Sequence, residues 1–170
     1  MDVRIVRGGA ERIPDLEPLT RALHAYHQIV DPDVPGVPPR DEDGWWRIRR
    51  GRYRKWLAEP DNFLLVAEHR TEGPVGYAVV TFHGQDDSHL TGERVAELQT
   101  LLVLDEHRGE GVGGTLLREV YRQVRAAGVT EMVIGVLATN DRALRLYERE
   151  GFRPWVILTM GKVPDPDAPR

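Results

Sequence analysis

The chain has 170 residues, 41% of them hydrophobic and 29% charged, with a formal net charge of −4. That size suits one domain with a real core, and the charge gives no global basic excess of the kind nucleic-acid binding uses. Cysteine is absent, which excludes disulfides, thiolate-held metals and a cysteine nucleophile. The one serine, Ser88 in QDDSHL, is not in a nucleophile elbow. No apolar run reaches the roughly 18 to 20 residues of a membrane span, and MDVRIVRGG does not read as a signal peptide, so a cytoplasmic protein is expected.

VRIVR (3–7) reads as a first strand. Leu16, Leu19, Leu23, Tyr26 and Val30 recur at spacings of three and four and predict an amphipathic helix over 15–30. DPDVPGVPPR (31–40) is a proline-stiffened loop, and a second helix follows over about 42–58 with Trp45, Ile48, Trp56 and Leu57 as its apolar side. NFLLVAEH (62–69) and VGYAVVTFH (75–83) are strands joined by RTEGP as a hairpin. After the polar loop GQDDSHLTGE, VAELQTLLV (95–103) is a central strand, its second half apolar on both faces. Val112, Leu116, Leu117, Val120, Tyr121 and Val124 mark a helix that stops at Gly128, and EMVIGVL (131–137) is a buried strand. Asn140 caps a short helix that stops at Gly151, and FRPWVILTMGK (152–162) supplies a last strand or hairpin. Residues 1–162 are expected to form one domain and VPDPDAPR (163–170) a disordered tail. The order, antiparallel strands followed by one βαβ crossover, gives a mixed α+β sheet and not a doubly wound one.

EHRGEGVGGTLL (106–117) carries four glycines just before a helix, an arrangement that exposes backbone amides to a phosphate. Gly109, Gly111 and Gly114 formally fit the dinucleotide fingerprint. However, LDEH separates them from the strand, and the next strand ends in leucine where a ribose-binding acid would stand. The P-loop reading fails because Thr115 follows Gly114 with no lysine. The third reading takes Arg108, Gly111 and Gly113 together as R-x-x-G-x-G.

That stretch resembles the acetyl-CoA-binding motif of the GNAT superfamily of N-acetyltransferases. ELQTLLVLDEHRGEGVGGTLL is similar to the family's strand, loop and helix, and NDRALRLYEREGF (140–152) has the N-x-x-A-x-x-x-Y-x-x-x-G-F spacing of its last helix. Specific motifs cover about 95–162, whereas residues 1–94 match in element order only. The resemblance implies a mixed, mostly antiparallel sheet of six to seven strands, splayed between the fourth and fifth and flanked by about four helices. Acetyl-CoA is then the co-substrate. Its pyrophosphate would lie on Arg108, Gly109, Glu110, Gly111, Val112, Gly113 and Gly114, where glycines admit close approach and the helix dipole favours an anion. Its acetyl and pantetheine groups would meet the amides of Leu101, Leu102 and Val103, and Asn140 would contact CoA as well as cap its helix.

Transfer to an amine needs a base, because an alkylamine with pKa near ~10 is mostly ammonium at neutral pH. Glu97 lies on the central strand eleven residues before Arg108, where the resemblance implies a catalytic glutamate. Simple alternation puts it on one face with Gln99, Leu101 and Val103; Glu93 is the alternative base, and a solvent-facing Glu97 is the plainer reading. Tyr147 matches the family tyrosine that protonates the leaving sulfur, against the plainer reading of a core tyrosine. Together Glu97 and Tyr147 favour a catalytic enzyme over a non-catalytic acyl-CoA-binding module. WWRIRRGRYRKW (45–56) is read as a solvated basic face before a nucleic-acid site, with some arginines walling the acceptor site. His24 and His27, at i and i+3, lack a second cluster, so no metal is assigned. The acceptor is expected to be a small polar amine or a peptide N-terminus; no membrane or nucleic-acid partner is expected, and a homodimer is left open.

Overall fold

The computed structural model describes residues 2–30 and 33–166. Among them five strands form one sheet: β1 (Val3–Gly8), β2 (Phe63–His69), β3 (Gly73–Gly84), β4 (Arg94–Val103) and β5 (Met132–Ile134), in chain order. β1 to β4 pair antiparallel, and β5 lies parallel to β4 after a crossover through α3 (Val112–Ala126). Helices α1 (Leu16–Val30) and α2 (Glu42–Trp56) come between β1 and β2, and α4 (Asp141–Arg149) follows β5. This is the mixed α+β order expected from the sequence. Residues 31 and 32 of the proline loop, and 167–170 of the predicted tail, lie outside the described residues.

The sheet separates two apolar layers. On one face α3 buries Val112, Leu116, Leu117, Val120 and Val124 against Leu65, Ala78, Val80, Ala96 and Leu98. The other face takes α1 through Leu16, Leu19 and Leu23, and α2 through Trp46 and Tyr53. The stripe expected on α2 is thus partly corrected: Ile48 is 41% exposed. The helix is turned instead by Tyr53, whose hydroxyl is 2.8 Å from that of Tyr77, itself 3.2 Å from Thr20 Oγ1. All three hydroxyl groups belong to buried residues, so each satisfies a polar atom that would otherwise be costly in the core. Burial pushes the Tyr77 phenol well up, so it stays neutral in that chain.

The predicted alternation along β4 does not hold. Val79 pairs with Thr100 while Val80 pairs with Leu98, leaving Gln99 as an extra residue in a β-bulge. A bulge shifts the phase by one. Leu98, Leu101 and Val103 therefore all pack on the α3 face, and Leu102 packs on the opposite face with α1 and α2. Glu97, between Ala96 and Leu98 of the α3 cluster, points to the α1/α2 face, away from Leu101 and Val103.

The sheet also has fewer strands than the six or seven expected. Residues 152–162 form no strand, and Ile157, Leu158 and Met160 are 87%, 92% and 68% exposed. β5 covers three residues where seven were expected, so it presents a short edge for a further strand, and Pro154 removes one ladder donor from that segment.

One ion-pair cluster ties the sheet edge to the first helical segment. Glu68 on β2 accepts from Arg4 of β1 at 2.8 Å and from Arg12, in the 3-10 turn Ala10–Asp15, at 2.7 Å. Arg12 and then Arg4 hold the Glu68 carboxyl below the usual carboxylate range. A group with a depressed folded pKa stabilises above its unfolded pKa and loses that contribution as pH falls. Glu68→Gln is expected to lower Tm at pH 7 by several degrees, for about 1–2 kcal/mol lost. Thermal melts of both proteins should converge as pH drops below about 4.3; a constant gap across that range would show that charge is not the cause.

Candidate active site

The glycine turn leads from β4 into α3 and leaves that helix unusually open at its start. Gly109 and Gly111 have φ of 86° and 83°, the left-handed region that glycine enters without strain. A Cβ built on either meets nothing within 4 Å. Gly111 is the N-cap of α3 and offers no side-chain hydrogen bond, and the first turn of α3 carries no acid. By contrast α2 starts under Asp41, which accepts from Gly44 N at 2.7 Å, with Glu42 and Asp43 in its first turn. The first intrahelical bond of α3 is Thr115 N to Gly111 O, so the amides of Val112, Gly113 and Gly114 precede it without intrahelical acceptors. Glu110, in the turn itself, has an oxygen 3.5 Å from His107 Nδ1. An anion suits this end of α3 by both hydrogen bonding and dipole, so the residues present fit a pyrophosphate.

Two side chains missed by sequence reasoning brace that turn. His107 is buried, and its Nε2 is 3.2 Å from Glu72 in the β2–β3 turn. Its Nδ1 is buried without a hydrogen-bond partner. Tyr26 of α1 lies under Arg108, whose guanidinium carbon is 5.0 Å from the ring centroid. The Tyr26 hydroxyl donates to Asn140 Oδ1 at 3.1 Å. Arg108 itself donates from Nε to the carbonyl of Val103 at 3.0 Å and pairs with Asp105. Its guanidinium is thus turned into the loop. Asn140 also caps α4 by accepting from Ala143 N at 3.2 Å. The sequence marked Tyr26 as one more residue of an apolar stripe, with nothing to signal this bridge between Arg108 and Asn140.

β4 carries two further features. It pairs with β5 only over Ala96–Leu98, so from Gln99 to Val103 its β5 side has no strand partner among the described residues. β4 therefore outruns β5 where the splay between the fourth and fifth strands was expected, and Leu101, Leu102 and Val103 lie along that unpaired stretch. On the α1/α2 face, Glu97 Oε2 is 2.7 Å from Nε2 of His83, with the Glu97 side chain 31% exposed. Thr81 Oγ1 lies 3.0 Å from the same ring nitrogen and accepts from Gln99 Nε2 at 2.9 Å. Glu93 is exposed in the loop before β4.

The same face receives one arginine of α2. Arg49 donates to Thr100 Oγ1 at 3.3 Å and its guanidinium stacks 4.9 Å from the Trp45 ring centroid. Arg47, Arg50, Arg52 and Arg54 are exposed. His24 and His27 both pack against Trp45, at 5.1 and 5.7 Å between ring centroids.

Tyr147 projects from α4 onto the α3-side core. α4 closes with Gly151 N bonded to Glu148 O and Phe152 N to Tyr147 O, a Schellman motif with Gly151 at φ 94°. The Phe152 ring packs edge-on to Tyr147 at 6.2 Å, the apolar contact that accompanies this cap. Burial pushes the Tyr147 phenol up to about 12, so at neutral pH it carries its proton and can only donate it.

Comparison with known proteins agrees with this geometry. The model of the acetyltransferase (GNAT) family matches residues 18–152. A mycothiol acetyltransferase of Nocardiopsis dassonvillei is 33% identical over 112 residues, covering 66% of this chain and 34% of that protein. The chain thus spans about a third of the length of that relative. A GCN5-related N-acetyltransferase from Ralstonia eutropha superposes with a TM-score of 0.72 at 18% identity, covering 94% of this chain and 98% of the other. An aminoglycoside acetyltransferase from an uncultured soil metagenomic sample does so with 0.67 at 17% identity, covering 96% and 100%. With its glycine turn, partly unpaired β4 and capped last helix inside the matched span, the chain belongs to the acetyltransferase (GNAT) family.

Proposed function

We propose that this protein is an N-acetyltransferase that moves an acetyl group from acetyl-CoA directly to a primary amine of a small polar molecule or a peptide N-terminus. The observation that carries the reading is the build of β4. One strand bears Glu97 on one face, offers an unpaired edge over Gln99–Val103, and runs into an uncapped, acid-free helix start. The open amides of Val112, Gly113 and Gly114, in the turn Arg108–Gly114, would hold the pyrophosphate, with Asn140 contacting CoA. Leu101, Leu102 and Val103 would receive the pantetheine and the thioester carbonyl.

Acetyl-CoA supplies an activated thioester; the chain supplies position and protons. Glu97 takes the proton that the attacking amine must lose. Backbone amides near Leu101–Val103 stabilise the oxyanion that develops at the carbonyl. Tyr147 donates its O–H to the departing sulfur. With the phenol near 12 and a thiol near ~8.5, complete proton transfer is uphill by about 5 kcal/mol. Tyr147 therefore acts mainly as a hydrogen-bond donor to the thiolate, and the sulfur is fully protonated as it reaches water.

Arg49 supports an acceptor that carries a negative group. It alone among the α2 arginines bonds to β4, through Thr100, on the face that also bears Glu97. A carboxylate or phosphate held there would orient the amine by a charge-assisted fork, which adds specificity more than affinity. The relative named for mycothiol also supports a small-molecule acceptor.

Three measurements test this reading. Acetyl-CoA should raise Tm while NAD and ATP do much less, and Gly111→Val, which strains a backbone at φ 83°, should abolish the shift; equal stabilisation by NAD would sink the cofactor assignment. Glu97→Gln should lower kcat/KM by roughly 10² near neutral pH, with partial recovery at high pH where the amine is already neutral. Unchanged activity would move the base to Glu93 or to water. Arg49→Glu should raise the acceptor KM and leave that for acetyl-CoA unchanged, whereas Arg52→Glu should alter neither; acceptor kinetics unchanged by Arg49→Glu would remove α2 from the acceptor site.

A further inference from the structure

We propose that His83 is a positioning residue for Glu97: it holds one carboxylate oxygen so that the other faces the acceptor amine. This rests on the reading of Glu97 as the base. His83 lies near the end of β3, two residues beyond Thr81, whose register partner across the β3–β4 ladder is Glu97. Thr81 lies between Val80 and Phe82, which face α3, so Thr81, His83 and Glu97 all face the acceptor side. His83 Nε2 and Glu97 Oε2 lie 2.7 Å apart, within ion-pair reach across the β3–β4 ladder.

The same ring nitrogen meets a second polar group. Thr81 is buried, and its hydroxyl accepts from Gln99 while lying 3.0 Å from His83 Nε2. Gln99 is the bulged residue of β4. A run of polar contacts therefore leads from the bulge through Gln99, Thr81 and His83 to the carboxylate. A glutamate has three side-chain torsions and, 31% exposed, would otherwise sample several rotamers. Engaging Oε2 restricts that freedom and leaves Oε1 to accept the amine proton. Catalytic groups need to be held within about 0.5 Å of the productive geometry by such supporting contacts.

The consequence is a loss in kcat that depends on Glu97. His83→Ala should lower kcat about 10-fold, leave the KM for acetyl-CoA within about 2-fold, and leave Tm nearly unchanged because the side chain is half exposed. His83→Gln, whose amide N–H reaches a similar position, should restore most of that kcat. The deciding measurement is a double-mutant cycle with Glu97→Gln. It is assayed near neutral pH, where Glu97 is needed and the Glu97→Gln variant still turns over at roughly one-hundredth of the wild-type rate. In that background His83→Ala should cost nothing further. The proposal is overturned if His83→Ala leaves kcat within about 2-fold of the wild type, or if it costs as much in the Glu97→Gln background as in the wild type. Full activity of the Glu97→Gln single variant would instead overturn the assignment of the base, and His83 with it.

Discussion

A single extra residue in β4 sets the geometry of the whole site. Were β4 regular, Glu97, Leu101 and Val103 would share a face, and the carboxylate would lie among the apolar side chains that pack on α3. The bulge at Gln99 reverses the phase at mid-strand. Leu101 and Val103 still serve the core under α3, while Glu97 and Thr100 turn toward α1 and α2. A bulge also increases local twist, and pairing with β5 ends at Leu98, immediately before it. One strand can then present acid and backbone on different sides, which a uniform ladder does not allow.

The second organising feature is electrostatic. α2 and α4 satisfy their starts internally, through Asp41 and Asn140. α3 does not, and its first turn lacks the acids that complement a helix dipole. The loop's own charges are engaged elsewhere, Arg108 with Asp105 and the Val103 carbonyl, Glu110 beside His107. The turn is thus preorganised by contacts that leave its amides free, and an incoming anion has little to displace.

Much of this was legible in the sequence, and the failures have a common origin. Glycine at 109, 111 and 151 reports backbone conformation, and Asn140 reports a cap; both are local, and both stand where the sequence put them. The core stripes of α1 and α3 follow from helical periodicity. The bulge, by contrast, is a relation between β3 and β4, and no property of VAELQTLLV alone places it. His83 and Tyr26 escaped for the same reason, since their partners are 14 and 82 residues away: Glu97 for one, Arg108 for the other. The apolar run VILTM reads as strand by composition, yet a strand needs an edge to pair with, and β5 is only three residues long.

Among the four helices α4 alone buries no residue completely. It is held at its ends, by the Asn140 cap and the Schellman closure, and in between chiefly by the Tyr147 ring against the core. Elements with little burial open locally at a free energy well below that of global unfolding. The phenol proposed to meet the leaving sulfur therefore rides on an element with fewer buried anchors than the strand that carries the carboxylate. The proposed proton acceptor and proton donor thus belong to elements of different burial, and a ligand that bridges them would tighten the less buried one.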